Sequence, residues 1–492
     1  MNADSDYIKT VFGLKLKQQR QKKKWSLQDL ADKTGMSKSY LNEIENGKKY
    51  PKHDKIILLS EILDCKFDDL VSTKLDKNLS PITEILKSDF FKEIPLELFG
   101  INRNLLINII SESPKKVTAF LHTLIEISQN YNLGKERFYF AVVRSFQEMH
   151  DNYFPEIEDK ATDFLKTCSP SNSNELNTGI LEQILKDNFG YTILFKNLDP
   201  YKEANRLRSL FIPENRTLIL NERLDDNQKL FILAKEIGFN ILDLKARPQT
   251  YSWVDFSSFE ELLNNYFASY FAGSILIPKH ELTKRFSKFI NQDHWSAEDF
   301  SSMIQYFTNS PETFYYRLTN LLVNEFGIKD LFYLCFTQKE NQESIQIMKE
   351  LHLNQQQAPH AKATNEHYCR RWVAVKNMMN LQKNERVSDI QISNYIDHGL
   401  SYLVFSTSQK NPFSDGTNRS YCLGILLNST TVKKIKFAKD STIKSEQVGV
   451  TCETCSVQNC DVRQAPPIRL EKETFNENMK LQVQNIRKEI LN

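Results

Sequence analysis

Three cysteines near the end of the chain have the spacing of a metal-binding loop. Cys452, Cys455 and Cys460 lie in CETCSVQNC and form a C-x2-C-x4-C pattern. Thiolates two residues apart can hold one metal centre from a tight turn, and a tetrahedral site takes four ligands. We therefore expect a fourth donor. Cys369 in NEHYCRRW is preferred, because it is predicted to lie outside the apolar cores and beside two arginines.

The residues leave the kind of centre open. Four thiolates suit zinc, and they equally suit a [4Fe–4S] cluster, in which closely spaced cysteines are often joined by a distant one. His367 and His360 are alternative fourth ligands, and three free thiols are the alternative without a metal. The other cysteines occur in apolar or isolated settings and are predicted to be small buried side chains: Cys65, Cys168, Cys335 and Cys422.

The segment LFILAKEIGFNIL, at residues 230–242, has the form of a zinc-peptidase helix without its ligands. In H-E-x-x-H, two histidines one turn apart bind zinc and the glutamate is the general base. Lys235 and Asn240 are assigned to the histidine positions, and ASYFAG supplies no acidic third ligand. Without a metal there is no activated water. We expect no peptidase activity, with Glu236 a solvated or capping carboxylate.

The first sixty residues carry the pattern of a DNA-binding domain. They contain 13 Lys and Arg against 7 Asp and Glu, and a local basic excess is typical of proteins that bind phosphates. A helix is predicted over residues 6–23, with Ile8, Phe12 and Leu16 on one face. Two short helices follow, LQDLADKTG and KSYLNEIEN, each capped by a serine and separated by Gly35. This is a helix-turn-helix arrangement.

The third helix is the predicted recognition helix. The first residues of such a helix point at base edges, and lysines in the following loop are placed for phosphates. The predicted DNA-binding residues are Lys38, Ser39, Tyr40, Asn42, Lys48 and Lys49. The segment SLQDLADKTGMSKSYLNEIENGKKYP resembles the XRE family of lambda-type repressors. The resemblance implies a double-stranded DNA operator, read by paired copies of the chain.

Composition narrows the class of protein to which the chain can belong. The chain has 492 residues, 40% apolar and 26% charged, with a net charge of +2, and its length suggests about three domains. No stretch of about 18 apolar residues predicts a membrane span, and the start lacks a signal-peptide pattern. Eight cysteines in a chain of this length do not make a disulfide scaffold. We expect a cytoplasmic protein.

The predicted fold class is multidomain, mostly α with α+β parts. A lambda-repressor-like helix-turn-helix domain is followed by a helical region for packing and dimerisation, a degenerate metallopeptidase-like domain, and a small Cys-rich α+β sensor domain of GAF or PAS character. The predicted bounds of these four parts are 6–72, 76–168, 180–345 and 360–492.

Two further resemblances cover the rest of the chain. Two strands, the altered helix, NNYFASYFAGSILIP and SPETFYYRLTNLL occur in an order that resembles the ImmA/IrrE metallopeptidase-like domain. Together with DNYFPEIEDKATDF and the Cys-rich end, the whole chain resembles the short-chain fatty acyl-CoA regulators, a branch of XRE regulators. The altered helix is then a trait of that branch, kept as a structural or ligand-binding unit.

This resemblance implies a transcription regulator that senses a short-chain acyl-CoA, as a homodimer or homotetramer, and it favours a [4Fe–4S] cluster over zinc. Arginine near an apolar pocket suits the phosphates of CoA, so Arg370, Arg371 and Arg463 are candidate ligand-binding residues. The alternatives are a redox or metal sensor, a phage-type repressor controlled by a protein partner, and a peptidase.

Overall fold

The structure is a computed structural model. The residues it describes are 3–72, 135–168, 176–251, 256–340, 342–353, 367–381, 386–397, 399–411, 413 and 416–491. Most of the helical region predicted at 76–168, and His360, lie outside these residues. The chain divides into two compact units, residues 1–140 and 141–492.

The first unit contains the predicted helix-turn-helix. Its helices are α1 (Ala3–Lys22), α2 (Leu27–Thr34), α3 (Lys38–Glu45), α4 (His53–Leu63) and α5 (Phe67–Val71). Phe12 and Leu16 of α1 are buried in one apolar cluster with Leu41 and Ile44 of α3. Ile8, predicted on the same inner face, is 40% exposed, because it lies one turn before this cluster begins.

Local signals in the sequence set the ends of α2 and α3. The Ser26 hydroxyl accepts from the Asp29 amide, and the Asp29 carboxylate accepts from the Ser26 amide, which together form a capping box. Gly35 ends α2 with a φ of 67°, a conformation that glycine adopts without steric cost. Ser37 then caps α3 through the Tyr40 amide. The turn between the two helices is therefore specified residue by residue.

The second unit begins with a peptidase-like α/β part. Its helices and strands in chain order are α6 (Lys135–Met149, which begins in the first unit), α7 (Pro155–Cys168), α8 (Thr178–Phe189), β1 (Thr192–Lys196), β2 (Ser209–Ile212), β3 (Thr217–Asn221), α9 (Asp226–Ile241), β4 (Thr250–Tyr251) and α10 (Phe259–Leu276). The strands form a sheet of order β1-β3-β2-β4, in which only the β1–β3 pair is parallel. Helix α9 carries the altered peptidase motif.

Helices α11 (Lys279–Ile290), α12 (Ala297–Phe307) and α13 (Pro311–Phe326) follow. Arg317 of α13 is buried and makes a bidentate ion pair with Glu158 of α7. Its Nε donates to the Ile277 carbonyl at 3.0 Å, and the Tyr270 hydroxyl donates to Glu158 at 2.7 Å. One guanidinium thus joins α7, α10 and α13, which explains the Tyr-Arg-Leu segment by packing.

A six-stranded sheet forms the C-terminal part. Its elements are β5 (Leu331–Lys339), β6 (Ile345–Leu353), α14 (Val373–Met379), β7 (Arg386–Tyr395), β8 (Leu400–Lys410), β9 (Thr417–Leu426), α15 (Ser429–Lys434) and β10 (Ser445–Val448). The order is β10-β7-β8-β9-β5-β6, with only β7–β10 parallel. The sheet starts at Leu331, before the domain boundary predicted at 345–360.

Both faces of this sheet are buried. Tyr333 and Phe405 pack with the cluster of α11–α13, whereas Phe332 and Val404 pack with α14. Burial on two faces accounts for the unbroken apolar run LFYLCF of β5, since apolar and polar residues alternate along a strand only where one face of the sheet is exposed to solvent. The chain ends in helix α16 (Ile468–Leu491). The predicted fold class is confirmed: a helical N-terminal domain, an α/β middle and a sheet-rich C-terminal domain.

Candidate functional site

A buried ion pair and a close helix contact position α3, the predicted recognition helix. Arg20 of α1 donates from Nε and Nη2 to the two carboxylate oxygens of Glu45, at 2.7 and 2.8 Å, and from Nη1 to the Trp25 carbonyl at 2.6 Å. The hydrogen bond to Glu45 raises the pKa of Arg20. A Cβ on Gly13 would lie 2.3 Å from the Ile44 carbonyl oxygen. The C-terminal end of α3 is therefore held against α1 at the closest backbone approach.

The six predicted DNA-binding residues lie along and just after α3. Lys38, Ser39 and Asn42 are exposed on its first turn and a half, and Lys48 and Lys49 are exposed in the following loop. Tyr40 is half-buried. The geometry thus presents a set of donors and cations on the outer side of a helix whose inner side is fixed.

Three of these residues have partners that the sequence pattern did not indicate. Lys49 pairs with Glu43 at 2.8 Å, and that hydrogen bond raises the Lys49 pKa. The Tyr40 ring lies under the Lys55 ammonium, 4.2 Å from the ring centroid, so Lys55 adds a cation beside α3. Asn42 accepts from Asn46 at 3.0 Å, which orients its amide.

The altered peptidase centre is a buried cluster of charges. Glu236 is 6% exposed, so the prediction of a solvated or capping carboxylate is wrong. Its Oε2 accepts from the Arg247 guanidinium and from the Tyr191 hydroxyl, the latter at 3.1 Å. Arg247 also stacks between Phe211 and Phe239, 3.8 and 4.2 Å from the ring centroids. A carboxylate this deep needs a cation, and Arg247 supplies it.

The second histidine position of the peptidase motif is occupied by a different residue from the one predicted. The residue one helical turn after Lys235 is Phe239, because an i, i+4 pair shares a face, so Phe239 and not Asn240 takes the second histidine position. Asn240 donates instead to the Tyr191 hydroxyl at 3.0 Å and to the Glu236 carbonyl at 2.8 Å. Lys235 is buried and donates to Asn265 of α10. Neither Arg247 nor Asn265 was indicated by any local sequence signal.

The cysteine segments meet through backbone pairing. Tyr368 and Thr451 form an antiparallel bridge, with the Cys369 amide donating to the Val450 carbonyl at 3.1 Å and the Cys452 amide to the His367 carbonyl at 2.8 Å. Cys369 is 8% exposed and belongs to an apolar cluster. The prediction that it lies outside the cores is therefore wrong, since the bridge draws its segment under the sheet.

The four cysteines influence one another electrostatically. Burial raises the pKa of Cys369 to about 11, and the Cys455 and Cys452 thiols add to the rise. Burial also raises the pKa of Cys455, with Cys460 contributing. A Cβ at Gly449 would lie 2.6 Å from the Cys455 sulfur, so only glycine fits over that thiol. Within the described residues, however, no group of three or more His, Cys, Asp or Glu side chains has metal-binding geometry.

The three predicted ligand-binding arginines have different surroundings. Arg371 pairs with Asp461 at 2.8 Å and Arg370 with Glu343 at 3.6 Å, and both carboxylates are more than 80% exposed. Arg463 donates to the carbonyls of Cys452, at 3.0 Å, and Val457. Arg463 therefore stabilises the cysteine loop through its backbone carbonyls, whereas Arg370 and Arg371 pair with solvent-exposed carboxylates. His367, the alternative metal ligand, pairs with Glu453 at 2.7 Å.

Comparison with known families matches three parts of the chain. Residues 16–70 match the helix-turn-helix family, residues 186–319 the IrrE N-terminal-like domain of M78 peptidases, and residues 350–483 the C-terminal domain of short-chain fatty acyl coenzyme A regulators. The chain thus combines the domains of a DNA-binding transcriptional regulator of the short-chain fatty acyl coenzyme A regulator type.

Among solved structures, a Mycobacterium tuberculosis transcriptional regulator is similar to this regulator at 16% identity, with a TM-score of 0.46, over 67% of the present chain and 93% of the other. No curated protein matches the regulator. In the described part of the chain, the search for helices long and apolar enough to cross a membrane found none.

The buried Lys235 predicts a specific pH dependence of stability. Burial lowers its pKa from 10.5 to about 7. Between pH 7 and 10 the unfolded chain therefore holds a proton that the folded regulator has lost, so the free energy of unfolding rises with pH in that window. Relative to Lys235→Met, wild-type stability should rise by up to about 1.4 kcal/mol per pH unit.

Denaturant unfolding of both proteins at pH 7, 8 and 9 measures this difference. Lys245→Met is the matched control, because the Lys245 side chain is 83% exposed, and its difference from wild type should be flat. A flat difference for Lys235→Met as well would contradict a buried, neutralised lysine.

Proposed function

We propose that this regulator reads a double-stranded DNA operator through α3 and that its C-terminal half senses a short-chain acyl-CoA. The observation that carries the DNA-binding half is the outward first turn of α3, with Lys38, Ser39 and Asn42 exposed while Arg20 and Glu45 fix the helix from behind. A rigid helix with free polar ends at its N-terminal side is what base readout in the major groove requires.

The proposed roles divide by position. Lys38, Ser39 and Asn42 contact base edges, since they occupy the start of the recognition helix. Tyr40, Lys48 and Lys49 contact the backbone, with the Lys49–Glu43 pair opening when a phosphate takes the place of the carboxylate. Because one helix-turn-helix reads one half-site, the binding species is a pair of chains.

Single substitutions separate these roles. Lys38→Ala and Asn42→Ala should each weaken binding to the preferred sequence by about 1–3 kcal/mol and relax its specificity. Lys48→Ala should weaken all sequences alike and lower the salt dependence of binding by about one ion. Fluorescence anisotropy on duplexes chosen from a random library measures both effects. Lys284→Ala, on the exposed side of α11, is the control and should bind like the wild type. An unchanged sequence preference in Lys38→Ala and Asn42→Ala would rule out α3 as the helix that reads the bases.

We further propose that the peptidase-like domain is not catalytic in this regulator. Three observations support this: Lys235 and Phe239 stand at the histidine positions, Asn265 faces Lys235, and Arg247 occupies the general-base carboxylate. A base that is ion-paired with arginine, beside ligand positions that carry no imidazole, is not placed to activate a metal-bound water. The domain is then a structural element that follows the DNA-binding part and precedes the sensing part along the chain.

The acyl-CoA proposal rests on the C-terminal family match and on Arg370 and Arg371. Their present partners, Glu343 and Asp461, are exposed carboxylates, and exposed ion pairs contribute little to stability. A phosphate offers a stronger, charge-assisted partner. We therefore assign the CoA phosphates to Arg370 and Arg371, with Arg463 holding the loop beneath them.

Thermal unfolding against acetyl-, propionyl-, butyryl- and free CoA tests this assignment. A ligand at 100 times its dissociation constant adds about 2.7 kcal/mol to the folded state, so a shift that depends on chain length is expected. Arg371→Ala should reduce the shift, and Arg216→Ala, an exposed arginine of the peptidase-like part, should not. Equal midpoints with every CoA compound would contradict an acyl-CoA sensor and favour a redox or metal sensor.

We also propose that Cys369, Cys452, Cys455 and Cys460 hold a metal centre, preferably a [4Fe–4S] cluster and otherwise zinc. The backbone bridge at Tyr368 and Thr451 and the burial of three of the thiols support it. All four donors are soft thiols, which suit either centre. Such a centre would clamp the loop that carries Arg463.

Metal analysis of anaerobically purified protein decides this point. Cys455→Ser should lose most of the bound iron or zinc and lower the stability of the C-terminal domain, because metal affinity is also folding free energy. Cys168→Ser, at the end of α7, is the control and should keep the wild-type content. Equal metal content in both variants would show that the ligand set is wrong.

A further inference from the structure

The C-terminal helix α16 presents an apolar stripe to solvent along most of its length. It is 24 residues long, which corresponds to about 36 Å. Every residue from 471 to 490 is exposed. The apolar members of the stripe recur at intervals of four, four, three and four residues, and are 46–77% exposed: Phe475, Met479, Val483, Ile486 and Ile490.

Such a stripe calls for a partner. These spacings place the five side chains on one face of a helix, and an isolated helix in water is marginal unless an apolar face is packed. Large contiguous apolar surface on a soluble protein marks an interaction site. The helix surface therefore indicates a partner helix with its own apolar stripe.

The charges beside the stripe identify the partner. One flank carries Arg469, Lys480 and Arg487, and the opposite flank carries Glu471 and Glu489. When two copies pair side by side in the same direction, two-fold symmetry brings the basic flank of one against the acidic flank of the other. Antiparallel pairing would bring basic against basic. The flanks are thus complementary only in a parallel pair.

The register of a parallel pair strengthens the match. In such a pair Arg487 lies level with Glu489 of the second copy, and Arg469 level with Glu471 of the second copy. Arg469 pairs within its own helix with Glu473 at 2.8 Å, but both side chains are more than half exposed, so that contact competes weakly. Gln482 lies at the edge of the stripe and Lys472 lies one turn before it, and polar residues at such positions fix register in paired helices.

We infer that α16 is a self-association element, in which two copies of the chain pair through parallel α16 helices along the Phe475–Ile490 stripe. The inference rests on the proposed function only in that the DNA-binding species is a pair of chains. It adds the surface that makes the pair and the direction of the helices.

Sedimentation equilibrium of the full-length protein without DNA tests this. The wild type should dimerise, and Ile486→Glu should raise the dimer dissociation constant by at least about tenfold, because a carboxylate would be buried in the apolar seam. Gln484→Glu adds the same charge in the same turn but on the opposite face, and should leave the constant unchanged. Equal constants for the two variants, or a monomeric wild type, would overturn the inference.

Charge reversal tests the direction. In a parallel pair, Arg487→Glu places like charges beside each other and should weaken the dimer, and adding Glu489→Lys should restore it. Tighter association of Arg487→Glu would show antiparallel helices and overturn the parallel assignment. If Ile486→Glu leaves association unchanged but lowers the unfolding temperature, another segment of the same chain covers α16, and the self-association proposal fails. Operator binding is measured separately and depends on the residues of α3, so the two proposals can fail independently.

Discussion

The buried carboxylate of Glu236 is the constraint on which the peptidase-like domain depends. A carboxylate that is 6% exposed is stable only beside a compensating charge, and removing one partner of a buried pair costs about 3–5 kcal/mol. A catalytic domain of this kind meets the requirement with a metal and water. Here the Arg247 guanidinium supplies the charge, the Tyr191 hydroxyl donates a hydrogen bond to the carboxylate, and two flanking phenylalanines stack on the guanidinium. Burial also lowers the pKa of Lys235, at the first ligand position, and so favours its neutral form.

The same rule operates in the DNA-binding domain and among the helices of the second unit. Arg20 and Glu45 pair out of water so that α3 has one position relative to α1, and Gly13 allows the helices to approach closely. Arg317 and Glu158 tie three helices of the second unit. Moving one of these helices would leave a buried charge without its partner, so each pair favours a single arrangement of the helices that it joins.

The sequence predicted those parts of the fold that local signals determine. Ser26, Gly35 and Ser37 specify the turn between α2 and α3, because capping and positive φ act within a few residues. Arg247 and Asn265 escaped prediction because their roles come from contacts across helices and loops. The start of the C-terminal sheet was placed too late, since LFYLCF is buried on both faces and has no alternation to mark a strand. Cys369 was predicted to lie outside the apolar cores, and only the bridge between Tyr368 and Thr451 and the bond from the Cys369 amide to the Val450 carbonyl explain its burial.

Selection of bound duplexes from a random DNA library tests the central claim most directly. The claim is that paired copies of the chain read DNA through α3. It predicts a motif of two symmetry-related half-sites, with centres separated by about 10–10.5 base pairs or a multiple of that distance. If no sequence is enriched and binding depends only on the salt concentration, base readout by α3 is contradicted. Binding would then reflect only the attraction between a basic domain and phosphate.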